Sequence, residues 1–296
     1  MLDKDIESDF SYMAPAGNFR RFIRVFFSRK LVLIGFFVVV LFILVAVFAP
    51  FISTYNPYAR NMTNVLAQPS IKHWLGTDTL GRDTLSRIIY GARTSLIIGI
   101  AAVAIAAIIG MTLGLIAAYF GGLIYVLIMR FVDALMSLPM LMLALAIAAL
   151  LGGGLGNVII ALGIGLLATY ARLMCGQVLS VKENEYVIAL RSMGASNKRI
   201  MLRHIVPNCL PPLIVMMTMQ IGAAILIESS LSFLSIGIKP PTAAWGAMVS
   251  DGYQHLITSP VLSFAPGLSI MIVVFSFNMV GDGLRDVLDP RLRGVI

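Results

Sequence analysis

Few side chains in this sequence could do chemistry, and the ionisable ones among them lie in or beside long apolar runs. Glu228 is the only acid in its run, and an acid in such a run is a candidate gate, ion ligand or helix contact. Arg130 and Asp133 are three residues apart, which places both side chains on one face of a helix. We predict that these two residues form a structural ion pair, with a proton relay as the alternative.

The patterns of catalytic and metal sites are missing from the sequence. No G-x-x-x-x-G-K-S/T phosphate-binding loop occurs, so the chain is not expected to hydrolyse ATP itself. The three histidines and two cysteines are scattered and show no metal-ligand spacing. Ser229, Ser230 and Ser232 have no histidine partner in their apolar run, which leaves nucleophilic catalysis unsupported. We therefore predict a chain that is not an enzyme and holds no cofactor or metal of its own.

The composition indicates which elements must position these groups. Of the 296 residues, 59% are hydrophobic and 12% are charged, and the mean hydropathy is +0.93. Such a chain is expected to be a polytopic helical membrane protein rather than a water-soluble globule. Its net charge of +8 comes from basic residues beside apolar runs. That arrangement suits anionic headgroups and membrane topology better than nucleic acid.

Six apolar runs are long enough to cross a bilayer as helices, since a span needs about 20 residues. Gly121 and Gly122 separate the second run from the third, and the glycines at 152–154 separate the third from the fourth. The predicted spans lie near residues 31–49, 95–119, 125–151, 158–178, 213–235 and 262–280.

Charges between the runs set the predicted topology. Basic residues before the first span and within 182–207 place both of these segments in the cytoplasm, and six spans return the C-terminus to the same side. The predicted segments are a cytoplasmic N-terminal segment (1–30), the first transmembrane helix (31–50), an external loop (51–93), a five-helix core that includes 182–207 (94–281) and a cytoplasmic tail (282–296). The external loop is predicted to contain a short interfacial helix around Leu85, Ile88 and Ile89. In the tail, Asp282 is predicted to cap a helix that Pro290 ends.

Residues 182–207 form a charged island between two apolar runs. Apolar positions recur at helical spacing up to Gly194, which suits a helix stop because glycine adopts the left-handed conformation without a Cβ penalty. Ser196 can then cap a second helix over Asn197–Ile205, which Pro207 is expected to end. On charge alone the island is an ordinary basic loop that orients the protein in the membrane, but its residue order indicates more.

That residue order resembles the cytoplasmic EAA loop of permease subunits of ATP-binding-cassette importers. Ala189, Gly194 and Pro207 match the loop's alanine, glycine and proline at the family spacing. Ile188 replaces the loop's glutamate, although Glu185 supplies an acid one helical turn earlier. Three further positions depart from the pattern, namely Leu190, His204 and Val206.

Longer stretches are similar to the permeases of peptide and nickel importers. EYVIALRSMGAS and RHIVPNCLPPLIV lie within and around the island, PPTAAWG resembles the subfamily's PPxxxWG signature, and GDGLRDVLDP resembles its C-terminal motif. The resemblance runs from about the first span to Arg291. It points to the C-type permease subunit of dipeptide and oligopeptide importers.

The resemblance implies an all-α, type I importer permease fold with about six spans in a bacterial inner membrane. The implied partners are a homologous second permease, two ATP-binding subunits that hold ATP and Mg²⁺, an extracytoplasmic solute-binding protein and the lipid bilayer, with no nucleic acid. The residues implied to couple the chain to an ATPase are Glu185, Ala189, Arg191, Gly194, Ala195, Ser196, Lys198, Arg199 and Pro207. Those implied at an external docking or entrance surface are Asp78, Arg82, Asp83 and Trp245. Glu228 is then expected to serve in packing or gating rather than in substrate chemistry.

The substrate stays open at this point, because dipeptide, oligopeptide, nickel chelate and glutathione importers share these motifs. A stand-alone secondary carrier is the alternative class. It would need inverted repeats and ion ligands near the membrane midplane, for which only Glu228 is a candidate. A membrane scaffold would account for the spans but not for the island.

Overall fold

A computed structural model describes residues 25–288, and this part of the chain folds into helices. Between those limits no β-strand forms, and extended pairing is confined to an isolated bridge between Thr77 and Asp83. A π-helical segment, Ile200–Ile205, joins two of the helices. Numbered in chain order, the helices are α1 (Lys30–Val47), α2 (Ala49–Ile52), α3 (Thr84–Phe120), α4 (Gly122–Met136), α5 (Met140–Leu151), α6 (Leu155–Val181), α7 (Glu185–Ser192), α8 (Asn197–Arg199), α9 (Val206–Phe233), α10 (Trp245–Tyr253) and α11 (Val261–Leu288).

Five helices are long and apolar enough to cross a membrane, and a bent pair can supply a sixth crossing. The five are α1, α3, α6, α11 and the continuous helix Asn197–Phe233, which includes α8 and α9. The bent pair is α4 with α5. The prediction of an all-α polytopic membrane protein with about six spans is therefore confirmed.

The third predicted span, residues 125–151, is two helices rather than one straight helix. α4 and α5 meet at an angle of 91°. Their 15 and 12 residues reach only about 22 and 18 Å, less than the roughly 30 Å of a bilayer core. Pro139 accounts for the break, because it donates no N–H and disfavours the helical conformation at Leu138. The hydropathy pattern gives no sign of this break, but the pair Leu138-Pro139 does.

The predicted interfacial helix does not exist as a separate element, because its residues form the first turns of α3. Asp83 begins this helix: its carboxylate accepts hydrogen bonds from the Ser86 backbone N–H at 2.8 Å and from the Ser86 hydroxyl at 2.7 Å. The helix then runs without a proline to Gly121, whose φ of +68° ends it. Polar residues near Arg87 hide this continuity from a hydropathy pattern.

Pro207 is predicted to end the second helix of the island, but the helix continues through it to Phe233. The reason is the π-helical segment just before it. There the Val206 N–H bonds to the Met201 carbonyl oxygen five residues back. A turn of this width accommodates a proline that donates no N–H, and the proline falls in the first turn of α9.

The C-terminal motif does not begin a new helix either. Asp282 is predicted to cap a tail helix, but α11 runs without interruption to Leu288. Arg29, just before α1, pairs with Asp286 at 3.1 Å and so ties α11 to the start of the first span. Pro290, the predicted end of the tail helix, lies outside the described residues.

Two glycines allow α3 to pack closely against α6. Gly110 and Gly114 lie one turn apart on α3, and both face the α6 backbone. A Cβ atom at Gly110 would lie 2.5 Å from the Leu167 carbonyl oxygen, and one at Gly114 would meet the Ala171 carbonyl oxygen at a shorter distance still. The small-residue pair therefore sets how near the two helices approach, as is common between membrane helices.

Replacing Gly114 with alanine should destabilise this helix pair, because the new methyl group overlaps the Ala171 carbonyl oxygen. We expect the free energy of unfolding to fall by about 1–3 kcal/mol, measured as reduced thermal stability in detergent. Gly176→Ala on α6 is the matched control, since no heavy atom lies within 4 Å of its added Cβ and alanine favours a helix. Equal stability of the two variants would contradict this packing.

Candidate functional site

The island 182–207 contains two short helices joined by a left-handed glycine. Gly194 follows α7 as predicted and has a φ of +77°. Its N–H bonds to the Arg191 carbonyl oxygen at 3.0 Å, and the Ala195 N–H bonds to the Leu190 carbonyl oxygen at 3.1 Å. These two bonds form a Schellman motif, which satisfies the last carbonyl groups of α7. The turn therefore depends on a residue that enters the left-handed region without strain.

The second helix begins where the sequence predicts. The Ser196 hydroxyl oxygen accepts a hydrogen bond from the Arg199 backbone N–H at 3.4 Å, which caps α8. Three apolar side chains of the island are fully buried in the cluster that also contains the ends of α3 and α6, namely Val187, Ile200 and Ile205. The island is thus a packed part of the fold rather than a free loop.

Polar contacts also seat the island on the end of α3. The Tyr119 hydroxyl donates to Asn197 Oδ1 at 2.8 Å. The Arg191 guanidinium lies 5.6 Å from the centre of the Tyr119 ring, within the range of a cation–π contact. The Lys182 ammonium donates to the Ala118 carbonyl oxygen at 3.2 Å. Both helices of the island are therefore connected to the same helix end.

The outer surface of the island combines apolar and basic side chains. Met193 is 74% exposed, Leu202 is 55% exposed and Ile188 is 52% exposed. The exposed basic side chains are Arg191, Lys198, Arg199 and Arg203. The other residues predicted to couple are exposed or half-buried, namely Glu185, Ala189, Gly194, Ala195, Ser196 and Pro207. Exposed apolar groups amid charged ones are typical of a surface that binds another protein.

The charged residues predicted for an external docking surface are buried inside the chain. Asp78 accepts from the Arg82 guanidinium at 2.6 Å and lies 3.4 Å from the guanidinium of Arg87. Asp83 lies 2.9 Å from a ring nitrogen of His73. The prediction that these side chains form a surface is therefore wrong. They hold the loop before α3 against the start of that helix, and loss of one partner would leave a buried charge unpaired.

Trp245, the fourth residue of that predicted surface, is also fully buried. Its indole N–H donates to the Ile88 carbonyl oxygen at 3.0 Å. Its ring packs against Gly91, where an added Cβ atom would lie only 2.6 Å from the ring. On the same helix, α10, burial raises the pKa of the Asp251 carboxyl, although the Arg87 guanidinium opposes the shift. The PPTAAWG stretch thus docks onto α3 rather than presenting its tryptophan to solvent.

Glu228 is fully buried where α9 meets α3, and three hydroxyl groups surround it. The Ser232 hydroxyl donates to Oε1 at 2.7 Å, and the Ser95 and Ser229 hydroxyls lie 3.4 and 3.5 Å from Oε2. Ser232 also accepts from the Ile238 N–H at 3.1 Å. In the described part of the chain no basic side chain pairs with Glu228. The carboxyl group joins two spans and the following loop, which suits the predicted packing role, while gating stays a prediction.

The predicted ion pair between Arg130 and Asp133 is wrong. Asp133 pairs with Arg172 of α6, which packs beside α4. The side chains of Asp133 and Arg172 are 44% and 48% exposed, respectively. Spacing along one helix shows which residues share a face, but not which neighbouring helix supplies a closer cation.

Several residues that matter for these contacts were not predicted. Tyr119 is the most informative of them, because an aromatic residue in the last turn before a helix-ending glycine pair could have indicated a contact at the helix end. The burial of Arg87 carries no local signal, since arginine is usually exposed. In residues 25–288 no group of three or more His, Cys, Asp or Glu side chains could hold a metal ion.

The fold and the island together define a class, the membrane-spanning subunit of a transport system. The family "Binding-protein-dependent transport system inner membrane component" matches residues 110–294. A second family, "N-terminal TM domain of oligopeptide transport permease C", matches residues 17–69. The chain belongs to the family of binding-protein-dependent inner-membrane transport components, and it is a multi-pass permease subunit.

Named relatives are similar over most of the chain. The dipeptide transport system permease protein DppC of Alkalihalophilus pseudofirmus is 44% identical over 90% of this chain and 88% of its own length. The oligopeptide transport system permease protein OppC of Bacillus subtilis is 42% identical over the same shares, 90% and 88%. The glutathione transport system permease protein GsiD of Escherichia coli is 42% identical over 86% of this chain and 85% of its own.

Solved structures share the fold. A chain of the MetNI methionine ABC transporter in an inward-facing conformation superposes with a TM-score of 0.57 at 19% sequence identity. The match covers 69% of this chain and 97% of that chain. A second crystal form of the same transporter gives a TM-score of 0.56. The predicted importer permease fold is therefore confirmed.

Glu228→Gln should preserve stability and uptake, because glutamine keeps the shape and one acceptor oxygen while the serine hydroxyls rotate. Glu228→Leu should lower the free energy of unfolding by about 1–3 kcal/mol, since the buried hydroxyls of Ser95 and Ser232 lose their acceptor. Thermal unfolding in detergent and uptake by cells measure the two effects. Loss of uptake in Glu228→Gln, together with dependence of wild-type uptake on an ion gradient, would instead identify an ion ligand.

Proposed function

We propose that this chain is one of two homologous permease subunits of an ATP-driven importer that carries dipeptides or oligopeptides. The observation that carries the proposal is the outward surface of the island, which is exposed and basic yet firmly seated on the ends of α3 and α6. The relatives named for dipeptide and oligopeptide transport support the peptide class. Glutathione, itself a modified peptide, falls within the same chemistry, and a nickel chelate is the alternative cargo.

In this proposal the island docks into a cleft on an ATP-binding subunit, and that subunit holds ATP and Mg²⁺. Met193 and Ile188 bring apolar area to the contact, while Lys198 and Arg199 bring positive charge that steers association with an acidic partner surface. When ATP closes the pair of ATPases, the island moves with them. The spans then alternate between inward-facing and outward-facing states.

The contacts of the island explain how such a movement reaches the spans. Tyr119 links the island to α3, and Lys182, the residue directly after α6, binds the same helix end. The π-helical segment leads without a break into α9. A displacement of the island therefore acts on three helices at once.

The proposed orientation follows the charges. The island and both termini lie in the cytoplasm, and the loops that contain Arg82 and Trp245 lie outside, in a bacterial inner membrane. A solute-binding protein delivers the peptide to that outer side. Because the charged groups and the indole of those loops are buried, contact with the binding protein is made by the loop surface that they stabilise.

Gly194→Val should strongly reduce co-purification of the ATP-binding subunits and peptide uptake. An added Cβ at this position meets no heavy atom within 4 Å, so the effect comes from backbone strain alone. The left-handed conformation costs an ordinary residue about 1–2 kcal/mol, and a β-branched residue more. The strain should shift the turn itself and, through it, the exposed side chains Lys198 and Arg199 that follow.

The control is Gly194→Asn, because asparagine tolerates the left-handed conformation. This variant should keep ATPase recovery and uptake near the wild-type values. Both variants should still insert and bind the second permease, since the spans do not depend on the turn. Full ATPase recovery and normal uptake in Gly194→Val would mean that the island only orients the chain.

Cysteine labelling tests the proposed orientation. Lys198 and Lys239 are both exposed and lie in the island and in the loop after α9, respectively. The native Cys175 and Cys209 are buried and give little background. In intact cells a membrane-impermeant thiol reagent should modify Lys239→Cys and spare Lys198→Cys until the membrane is permeabilised. The opposite pattern would invert the topology.

A further inference from the structure

A groove of about 630 Å³ runs along the chain between α6, α9 and α11. Its wall on α9 extends from Asn208 to Gln220, about 18 Å of helix at 1.5 Å per residue. An extended peptide of about five residues has the same length. Asn208 follows the π-helical segment almost directly, so the groove begins at the end of the spans that carries the island.

Three polar side chains face this groove and are not committed elsewhere, namely Gln177, Gln220 and Arg285. The two glutamines are half-buried, and their amides form no hydrogen bond to another described residue. Arg285 is exposed, and no carboxylate in residues 25–288 pairs with it. An amide offers both a donor and an acceptor, as a peptide bond does, and a guanidinium matches the two oxygens of a carboxylate.

The α9 side of the groove also contains two methionines, Met216 and Met219. Methionine side chains adapt to partners of irregular shape and are common on surfaces that bind varied ligands. Such a wall accepts side chains of different size. The amides and the guanidinium, in contrast, suit groups that every linear peptide with a free C-terminus carries.

Two prolines lie at the same end of the groove. Pro211 and Pro212 lie inside α9 and line the groove, and neither donates an N–H. The carbonyl groups of Pro207 and Asn208, four residues earlier, therefore lack their usual helical partners.

We propose that this groove binds the transported peptide, with Arg285 pairing with the C-terminal carboxylate and Gln177 and Gln220 hydrogen-bonding the peptide backbone. This assignment rests on the proposed function, because it gives the peptide cargo a place on this chain. In this site, polar groups bind the peptide's carboxylate and backbone, while its side chains contact an adaptable apolar wall. It is therefore a site of broad peptide tolerance with a requirement for a free C-terminus.

The test uses the assembled importer, purified in detergent and carrying Met216→Cys as a reporter in the groove. The native cysteines of this chain are buried, so within this chain a maleimide should modify position 216, which is read from the separated subunit. Saturating trialanine should slow this modification. Trialanine amide, which lacks the carboxylate, should need about tenfold more peptide for the same protection, the effect of one hydrogen bond to a charged group.

Arg285→Gln should abolish the difference between the two peptides. Arg93→Gln, which removes an exposed arginine of α3 outside this groove, is the matched control and should leave the difference intact. Absence of protection by trialanine would overturn the assignment, and so would protection that is indifferent to both the carboxylate and Arg285.

Uptake by cells that carry the wild-type importer separates this inference from the proposed function. Uptake of dipeptides or oligopeptides without any protection at position 216 rejects the groove as the peptide site and leaves the importer function standing. Failure to take up any dipeptide or oligopeptide rejects the peptide cargo itself.

Discussion

The continuity of α3 is the constraint on which both ends of this permease depend. Its 37 residues reach about 55 Å, more than the roughly 40–45 Å of a bilayer with its headgroups. Near its start, Arg87 pairs with Asp78 and the Ile88 carbonyl holds the indole of Trp245. Near its end, Tyr119 holds the island. One uninterrupted helix thus connects the loops at one membrane face with the proposed ATPase contact at the other.

Close packing holds α3 and α6 together. Apolar burial does not drive helices together inside a lipid bilayer, so association depends on close approach and on polar contacts. Gly110 and Gly114 provide the close approach, and Glu228 provides a polar contact from α9 to α3. Among the helices joined to the island, α9 has the least regular backbone where it meets the island. There a π-helical segment and then three prolines reduce its helical hydrogen bonding. A movement of the island would bend the fold there before it separated α3 from α6.

The sequence predicts the spans well, because an apolar run in a bilayer has to satisfy its backbone groups internally and so forms a helix. It also predicts the Gly194 turn, since few other residues adopt that conformation. It does not predict which charged side chains form ion pairs. Asp78 and Arg82 have the polarity of a surface loop, yet they bury each other, and Asp133 finds Arg172 on a different helix. Such pairings depend on tertiary packing, which periodicity within one helix does not contain.

The prolines illustrate why composition alone could not locate the breaks. Pro139 stops a helix, whereas Pro207 is passed by a π-helical segment and Pro211 and Pro212 lie within a continuous helix. A proline always removes a donor, but whether the helix stops depends on what replaces the lost hydrogen bond. Before Pro207 the wide turn supplies i to i−5 bonding, whereas Pro211 and Pro212 lie where a groove opens beside the helix. A lost backbone donor costs less beside a cavity than against lipid, which suits the two prolines on the side of α9 that borders the groove.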